Sequence, residues 1–406
     1  MENSLCVMEE ASSGASGGST SSSDAEAKQI LHRTDGGFAS STARTNRGGI
    51  RLLQRRRWIC ILHRKLDELF PVPCLPLLTT GLLVLILMAM VRLGSSMEVP
   101  CEIPPDYNAV NVIQKGAVGD GETDDSQAFM KAWESVCGAT TKAPTLYIPD
   151  KKTFLLKPLK FQGPCKSPVI YVLVQGNIVA PAEIQEWEDE DTDKWIVFSD
   201  VNGLSVTGNG HIDGEGETWW EQVDKQKDYK RPTALEFSNC NNLQLSGLTH
   251  INSPRNHISI NDCNGVTISN LHITASDSSP NTDGIDISRS LYVYIHDCYI
   301  GTGDDCVAIG GGSSNITIER VSCGPGHGIS VGSLGEDGKT ETVEDVLVKD
   351  CHFHGTTNGV RIKTWQGGSG YARRISFEGI TLDAVANPIF IDQYYCNKDH
   401  DCKNQA

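Results

Sequence analysis

Asp283, Asp305 and His327 recur at an interval of 22 residues, and Asp304 stands beside the middle member. Arg361 and Lys363 follow as an alternating pair of cations. Three carboxylates, a histidine and two cations form a set that could break a glycosidic bond. One carboxylic acid protonates the leaving oxygen while another carboxylate activates water from the opposite side of the sugar. Crowding among the aspartates would raise the pKa of one of them, leaving it a proton donor at mildly acidic pH. Arg361 and Lys363 would then hold a carboxylate on the substrate. Taken singly, each feature has an ordinary explanation. Gly303-Asp304-Asp305 suits a turn, a histidine between glycines suits a loop, and Arg-x-Lys suits a solvated strand face. Their convergence points to chemistry, because stacked carboxylates repel one another unless a ligand, proton or metal compensates.

The elements that position this set are short and repetitive. Pieces of the form apolar–x–apolar recur at Leu204, Leu243, Val266, Val293, Ile316, Val346 and Ile375. A second set interleaves with them at Ile258, Ile285, Val307, Ile329, Val360 and Ile389. The spacing within each set, about 22 to 31 residues, lies in the range of solenoids. Two strands per turn, separated by Gly, Asn and Ser, predict an all-β parallel β-helix. Leucine-rich repeats lack support because their Leu-x-x-Leu-x-Leu pattern is absent, and the tight hairpins of a β-sandwich are missing. Two places before each second-set strand stand Asn256, Asp283, Asp305, His327 and Asn358. Equal positions on neighbouring coils stack roughly 4.8 Å apart, so Asp283, Asp305 and His327 are expected to form a ladder. One place before the strands stand Gly284, Cys306, Gly328 and Gly359, small enough to let a substrate lie close to the backbone. Arg361 and Lys363 alternate with Val360 and Ile362 and should project away from the core. Ser126 to Cys137 shows helical apolar spacing, with Asp124 or Asp125 as N-cap, and is expected to close the N-terminal end.

Ahead of this body lies a different sequence. Ala11 to Asp24 is almost entirely Ser, Gly, Ala and Thr, and residues 1–74 read as a disordered, basic cytosolic leader. Arg51, Arg55, Arg56, Arg57, Arg64 and Lys65 precede an apolar run from Leu75 to Val91. Positive charge before the run predicts a transmembrane signal anchor over 75–93, with the body (97–406) on the lumenal or extracellular side. Cleavage near Ser95–Ser96 is the alternative, and either route delivers the body to the secretory pathway, membrane-anchored or free in the cell wall. Eleven of the 14 cysteines fall beyond the run without a CxxC pair, which favours disulfides in an oxidising compartment and leaves at least one thiol unpaired. Asn315-Ile-Thr317 is a glycosylation sequon usable there. Residues 1–96 hold 11 Lys and Arg against 8 Asp and Glu, or +3, and the remainder 24 against 43, or −19, which together make the chain's −16. So acidic a body excludes a nucleic-acid partner. An acidic ligand would have to be met by a local cluster of cations.

At these residues the chain closely resembles the polygalacturonase family of glycoside hydrolases, especially its plant members. Four motifs occur in order: Asn281-Thr-Asp283, Gly303-Asp-Asp305, Gly326-His-Gly328 and Arg361-Ile-Lys363. The likeness runs from about Asn108 to Tyr395. It implies a right-handed β-helix acting, without metal or other cofactor, by inverting hydrolysis of α-1,4 bonds in homogalacturonan. It casts Asp304 as general acid, Asp283 and Asp305 as the carboxylates that activate water, and His327 as the acid's assistant. Asn281, Arg361 and Lys363 would bind galacturonate, and Tyr395 or its neighbour Tyr394 matches a substrate-binding tyrosine. Cys306 and Cys323 match a family disulfide, and a monomer is expected. The family pattern continues for at least another coil beyond Ala406, so the body reads as truncated at its C-terminus. A calcium-dependent pectate lyase and a non-catalytic pectin-binding wall protein are the competing functions.

Overall fold

The computed structural model describes residues 4–7, 11–13, 109–187, 193–222 and 230–396. From Ala109 onward the strands stack into three parallel sheets, and each coil adds one strand to each sheet. One coil reads Ile285–Ser288, Leu291–His296 and Tyr299–Gly301. The architecture fits a right-handed parallel β-helix. The first apolar set forms one sheet and the second set another. Ile258, Ile285, Val307, Ile329, Val360 and Ile389 pair in a single register across five interfaces. The expected two strands per turn are three. The third sheet, with strands such as His272–Thr274 and Ser322–Cys323, is only two or three residues deep per coil. Each of its strands offers one inward side chain, such as Ile273 or Phe353, so it leaves no alternating signature in the sequence.

The interior is built from like side chains stacked coil upon coil. Phe161, Phe198 and Phe237 stack with ring centroids 4.8 and 5.5 Å apart. Trp133 of the Ser126–Cys137 helix packs 5.2 Å from Phe161, so the helix covers the N-terminal end of the coil. Asp125 occupies the N-cap position, but its carboxylate accepts the Val118 and Gly119 N–H groups, while Asp124 Oδ1 accepts that of Ser126. Cys137 at the helix end is bonded to Cys165. Four cysteines expected to favour disulfides, Cys240, Cys263, Cys298 and Cys351, are instead free thiols buried in the apolar ladders. They lie where neighbouring coils carry residues such as Val201, Leu271 and Val321, and a thiol of that size behaves there as a small hydrophobe.

Ser4–Val7 and Ala11–Ser13 pair antiparallel with Ser369–Glu378, so the first three residues of the Ala11–Asp24 run are in a strand rather than without order. The rest of the leader and the 75–93 segment lie outside the described residues. Among the described residues no helix is long and apolar enough to cross a membrane. At the other end, Ile389 and Ile391 of the Asn387–Tyr395 strand are about half exposed.

Candidate active site

The loops entering three successive strands of the second sheet deliver the acidic residues to one face. Main-chain bonds fix their register: Gly284 N donates to Asp305 O at 2.8 Å, and His327 N donates to Asp304 O at 2.7 Å. One oxygen each of Asp304 and Asp305 and a ring nitrogen of His327 lie within 4.8 Å of one another. His327 Nδ1 is 2.8 Å from Asp304 Oδ1, and Asn281 Nδ2 donates to Asp304 Oδ2 at 3.3 Å. Asp305 is fully buried. Its Oδ1 accepts Ser330 Oγ at 2.8 Å and Arg361 at 2.6 Å, and its Oδ2 accepts Lys363 Nζ at 2.9 Å. Arg361 and Lys363 therefore leave the core as expected but stay largely covered, their side chains 11% and 10% exposed, and both are paired with Asp305. The Tyr395 ring lies 5.4 Å from Lys363 Nζ and packs edge-on against Trp365, whereas Tyr394 points outward and is 64% exposed.

The electrostatics divide the three carboxylates. Burial, reinforced by Asp286, Asp304 and Asp305, pushes Asp283 well above the usual carboxylate range. Burial also acts to raise Asp304, but the His327 hydrogen bond, the His327 charge and the Lys363 and Arg361 charges outweigh it and hold that carboxyl low. The same hydrogen bond raises His327 against the effect of its burial. One aspartate of the three is thus raised, chiefly by burial with crowding added to it, and it is Asp283 rather than Asp304. The small-residue column has a different cause from the one anticipated. A Cβ on Gly328 would lie 2.2 Å from the carbonyl oxygens of Asn358 and Gly359, and one on Gly284 2.4 Å from Ile300. These positions face the next coil and the core rather than a ligand. Cys306, in the same column, turns inward and is bonded to Cys323, as the family likeness implied.

The family description "Glycosyl hydrolases family 28" matches residues 137–406, which include every residue of this face. The chain belongs to that family. A probable polygalacturonase of Arabidopsis thaliana is 58% identical over 294 residues, covering 72% of this chain and 63% of the relative. A polygalacturonase of Persea americana is 44% identical over 308 residues, covering 75% and 65% respectively. The chain thus spans just under two thirds of the length of both relatives. Among solved structures, a polygalacturonase from Erwinia carotovora superposes with a TM-score of 0.59 at 25% identity, over 73% of this chain and 82% of the other.

Within this family 28 domain a cleft of about 830 Å³ is lined by residues from Asp193 to Ser333, among them Lys230, Arg231, Arg255, Asn281 and Asp286, while Asp283, Asp304, Asp305 and His327 are not part of its lining. Several contributors escaped the sequence reading. Ser330 shares a ladder position with Arg361, one place after the repeat's reference residue, so the same register would have found it. Asp286 stands at that position too. Its Oδ2 accepts Asn256 Nδ2, and burial, then Asp305, pushes it up to about 7. Arg231, 9% exposed, lies four places before Leu235, the residue that pairs with Ile258. Pro254 and Asn281 stand four places before Ile258 and Ile285, so extending the register by one coil would have aligned Arg231 with the motif asparagine. Asn315, the sequon residue, is exposed on the Ser313–Glu319 strand.

Proposed function

We propose that the protein is a polygalacturonase that hydrolyses α-1,4-galacturonosyl bonds of homogalacturonan with inversion. The observation that carries this reading is the division of labour on one face. Asp304 is held by His327 and Asn281, Asp305 is held by two cations, and Asp283 has neither and is raised by burial and its acidic neighbours. Asp283, in its ionised form, takes a proton from water as that water attacks the anomeric carbon. Asp304 protonates the departing glycosidic oxygen, so one bond to carbon forms as another breaks. Before substrate arrives, the shared proton of the Asp304–His327 pair rests toward the imidazole, given the directions in which the two groups are shifted. A uronate chain entering the cleft desolvates Asp304 and draws on the Arg361 and Lys363 charges. Both changes drive the proton onto Asp304 and arm it as the acid. Arg361, Lys363 and Tyr395 bind galacturonate in this scheme. A lyase reading is less well supported, because the positive charge a calcium ion would bring to Asp305 already comes from Arg361 and Lys363.

The test is turnover of polygalacturonate in the presence of EDTA. Saturated reducing ends should appear at an undiminished rate, with the newly formed anomer inverted by proton NMR. Unsaturated, calcium-dependent products would overturn the assignment. Asp304→Asn should lower kcat by several orders of magnitude while leaving the thermal transition in place, whereas equal and near-zero turnover in both proteins with retained binding would favour a pectin-binding role. The same reading places the protein in the secretory pathway as a monomer. The 75–93 segment anchors it or is removed, and the body faces the cell wall, consistent with the disulfides at Cys137–Cys165 and Cys306–Cys323.

A further inference from the structure

Arg231 does not reach the catalytic carboxylates, yet its guanidinium spans three consecutive coils. One arm donates to Pro254 O at 3.0 Å and Pro280 O at 2.5 Å, and the other donates to Asn281 Oδ1 at 2.7 Å. A guanidinium has only donors, so the Asn281 atom that faces it must be the carbonyl oxygen. That contact fixes the amide, turning its NH2 toward Asp304 Oδ2. Asn281 itself sits at φ 53, a left-handed turn conformation that asparagine tolerates, so little else in its own backbone dictates which way the amide points. Flipped by half a turn, the amide would set its oxygen against the carboxylate and repel it.

We propose that Arg231 is a positioning residue for catalysis: it locks the Asn281 amide so that both oxygens of Asp304 are held, Oδ1 by His327 and Oδ2 by Asn281. The assignment rests on Asp304 being the acid of the polygalacturonase reading and extends it to a residue outside the four family motifs. Holding both oxygens fixes the plane of the carboxyl group, and an acid turned out of line with the leaving oxygen loses rate without losing substrate. Asp304 also interacts with Asp283, Asp305, His327, Arg361 and Lys363, and with the charge of Arg231.

A double-mutant cycle separates this role from mere support of the coil. Arg231→Met and Asn281→Ala should each lower kcat about ten- to hundredfold on polygalacturonate with KM changed less than about threefold. The double variant should be no worse than the poorer single one, because the two act in series. Arg231→Lys keeps the charge but not the planar fork that faces Asn281 from one arm and Pro254 and Pro280 from the other, and should recover only part of the rate. The Asp304 carboxyl resonance, followed by carbon-13 NMR, should titrate at higher pH in either single variant, since a hydrogen bond to the charged form has been lost. The resonance reports on the inference even if the protein turns over no polygalacturonate, an outcome that would overturn the polygalacturonase reading alone. Additive losses, or an Asp304 titration unmoved in Asn281→Ala, would overturn the positioning role. Should Arg231→Met fail to fold, Arg231→Lys and Asn281→Ala still decide it.

Discussion

At the scale of single residues, the site is a problem of compensating buried charge. Asp305 is fully buried, and Lys363 has only 10% of its side chain exposed, so neither charge is solvated on its own. Removing one partner of such a pair costs about 3–5 kcal/mol, because the other charge is left stranded. Asp305 keeps Arg361 and Ser330 when Lys363 is removed, so Lys363→Met should lower unfolding stability in urea by less than that, about 1.5–3 kcal/mol for a lost hydrogen bond to a charged group, in addition to raising KM. A rise in KM with no change in the unfolding midpoint would show that Lys363 serves substrate alone. Asp283 presents the opposite case. Its carboxyl is raised in the folded protein, so the unfolded chain loses that proton more readily. Folding is disfavoured as pH rises from the ordinary aspartate value through the folded one. Asp283→Asn should remove this penalty, raising Tm at pH 7 with a smaller gain near pH 4, while activity is lost. A Tm unchanged at both pH values would contradict the raised carboxyl.

At the scale of the element, the ladder that stacks the aspartates also fixes what may stand beside them. His250 occupies an inward position of the third sheet between Ile212 and Ile273, fully buried, and neither ring nitrogen has a hydrogen-bond partner. His257 is buried next to it and within 3.3 Å of the Asp283 carbonyl. Burial pushes His250 down to about 3 and His257 to about 4. Both are therefore neutral in the folded protein over a range where the unfolded chain protonates them. Their contribution to stability is intact above pH 6.5 and is eroded as pH falls from there toward 4, by about 1.4 kcal/mol per pH unit for each histidine. His250→Leu, matching its ladder neighbours, should flatten the acid limb of the stability curve by about that slope in denaturant titrations at pH 6, 5 and 4. An unchanged limb would show that the acid sensitivity lies elsewhere. The glycine column makes the same point sterically. Gly328 is at φ +87 with the next coil's carbonyls where a side chain would go, so Gly328→Ala should displace His327 and lower both stability and kcat.

At the scale of the whole molecule, charge and topology have separate tasks. A body carrying −19 repels a polyanion at long range, and the cations along the cleft and at Asp305 oppose that repulsion locally. On the proposed reading, the leader delivers the body to a polyanionic wall. The full-length chain expressed in plant cells should resist carbonate extraction from membranes, with the body protected from protease in intact microsomes. Asn315→Gln should abolish a glycosidase-sensitive shift in mobility. A soluble product starting near Ser95–Ser96 would favour the cleaved alternative, and a protease-accessible, unglycosylated body would contradict lumenal placement.

Much of this was legible in the amino-acid order because a β-helix repeats its geometry at every coil. Once the apolar reference residues were aligned, equal offsets meant neighbours in space, and Asp283, Asp305 and His327 fell on one ladder. The same regularity identified the first two sheets, and a separate helical spacing over Ser126–Cys137 identified the capping helix. The repeat hid the third sheet, whose strands each offer a single inward side chain. Tertiary packing alone decided what each charge does. It buried Asp305 against both cations, placed the raised proton affinity on Asp283, and turned Cys306 toward Cys323 while leaving four other thiols free. Sequence offsets record which residues stack, but a pKa or a hydrogen bond depends on the water excluded and the partners within about 3 Å, and loops from several coils settle those together.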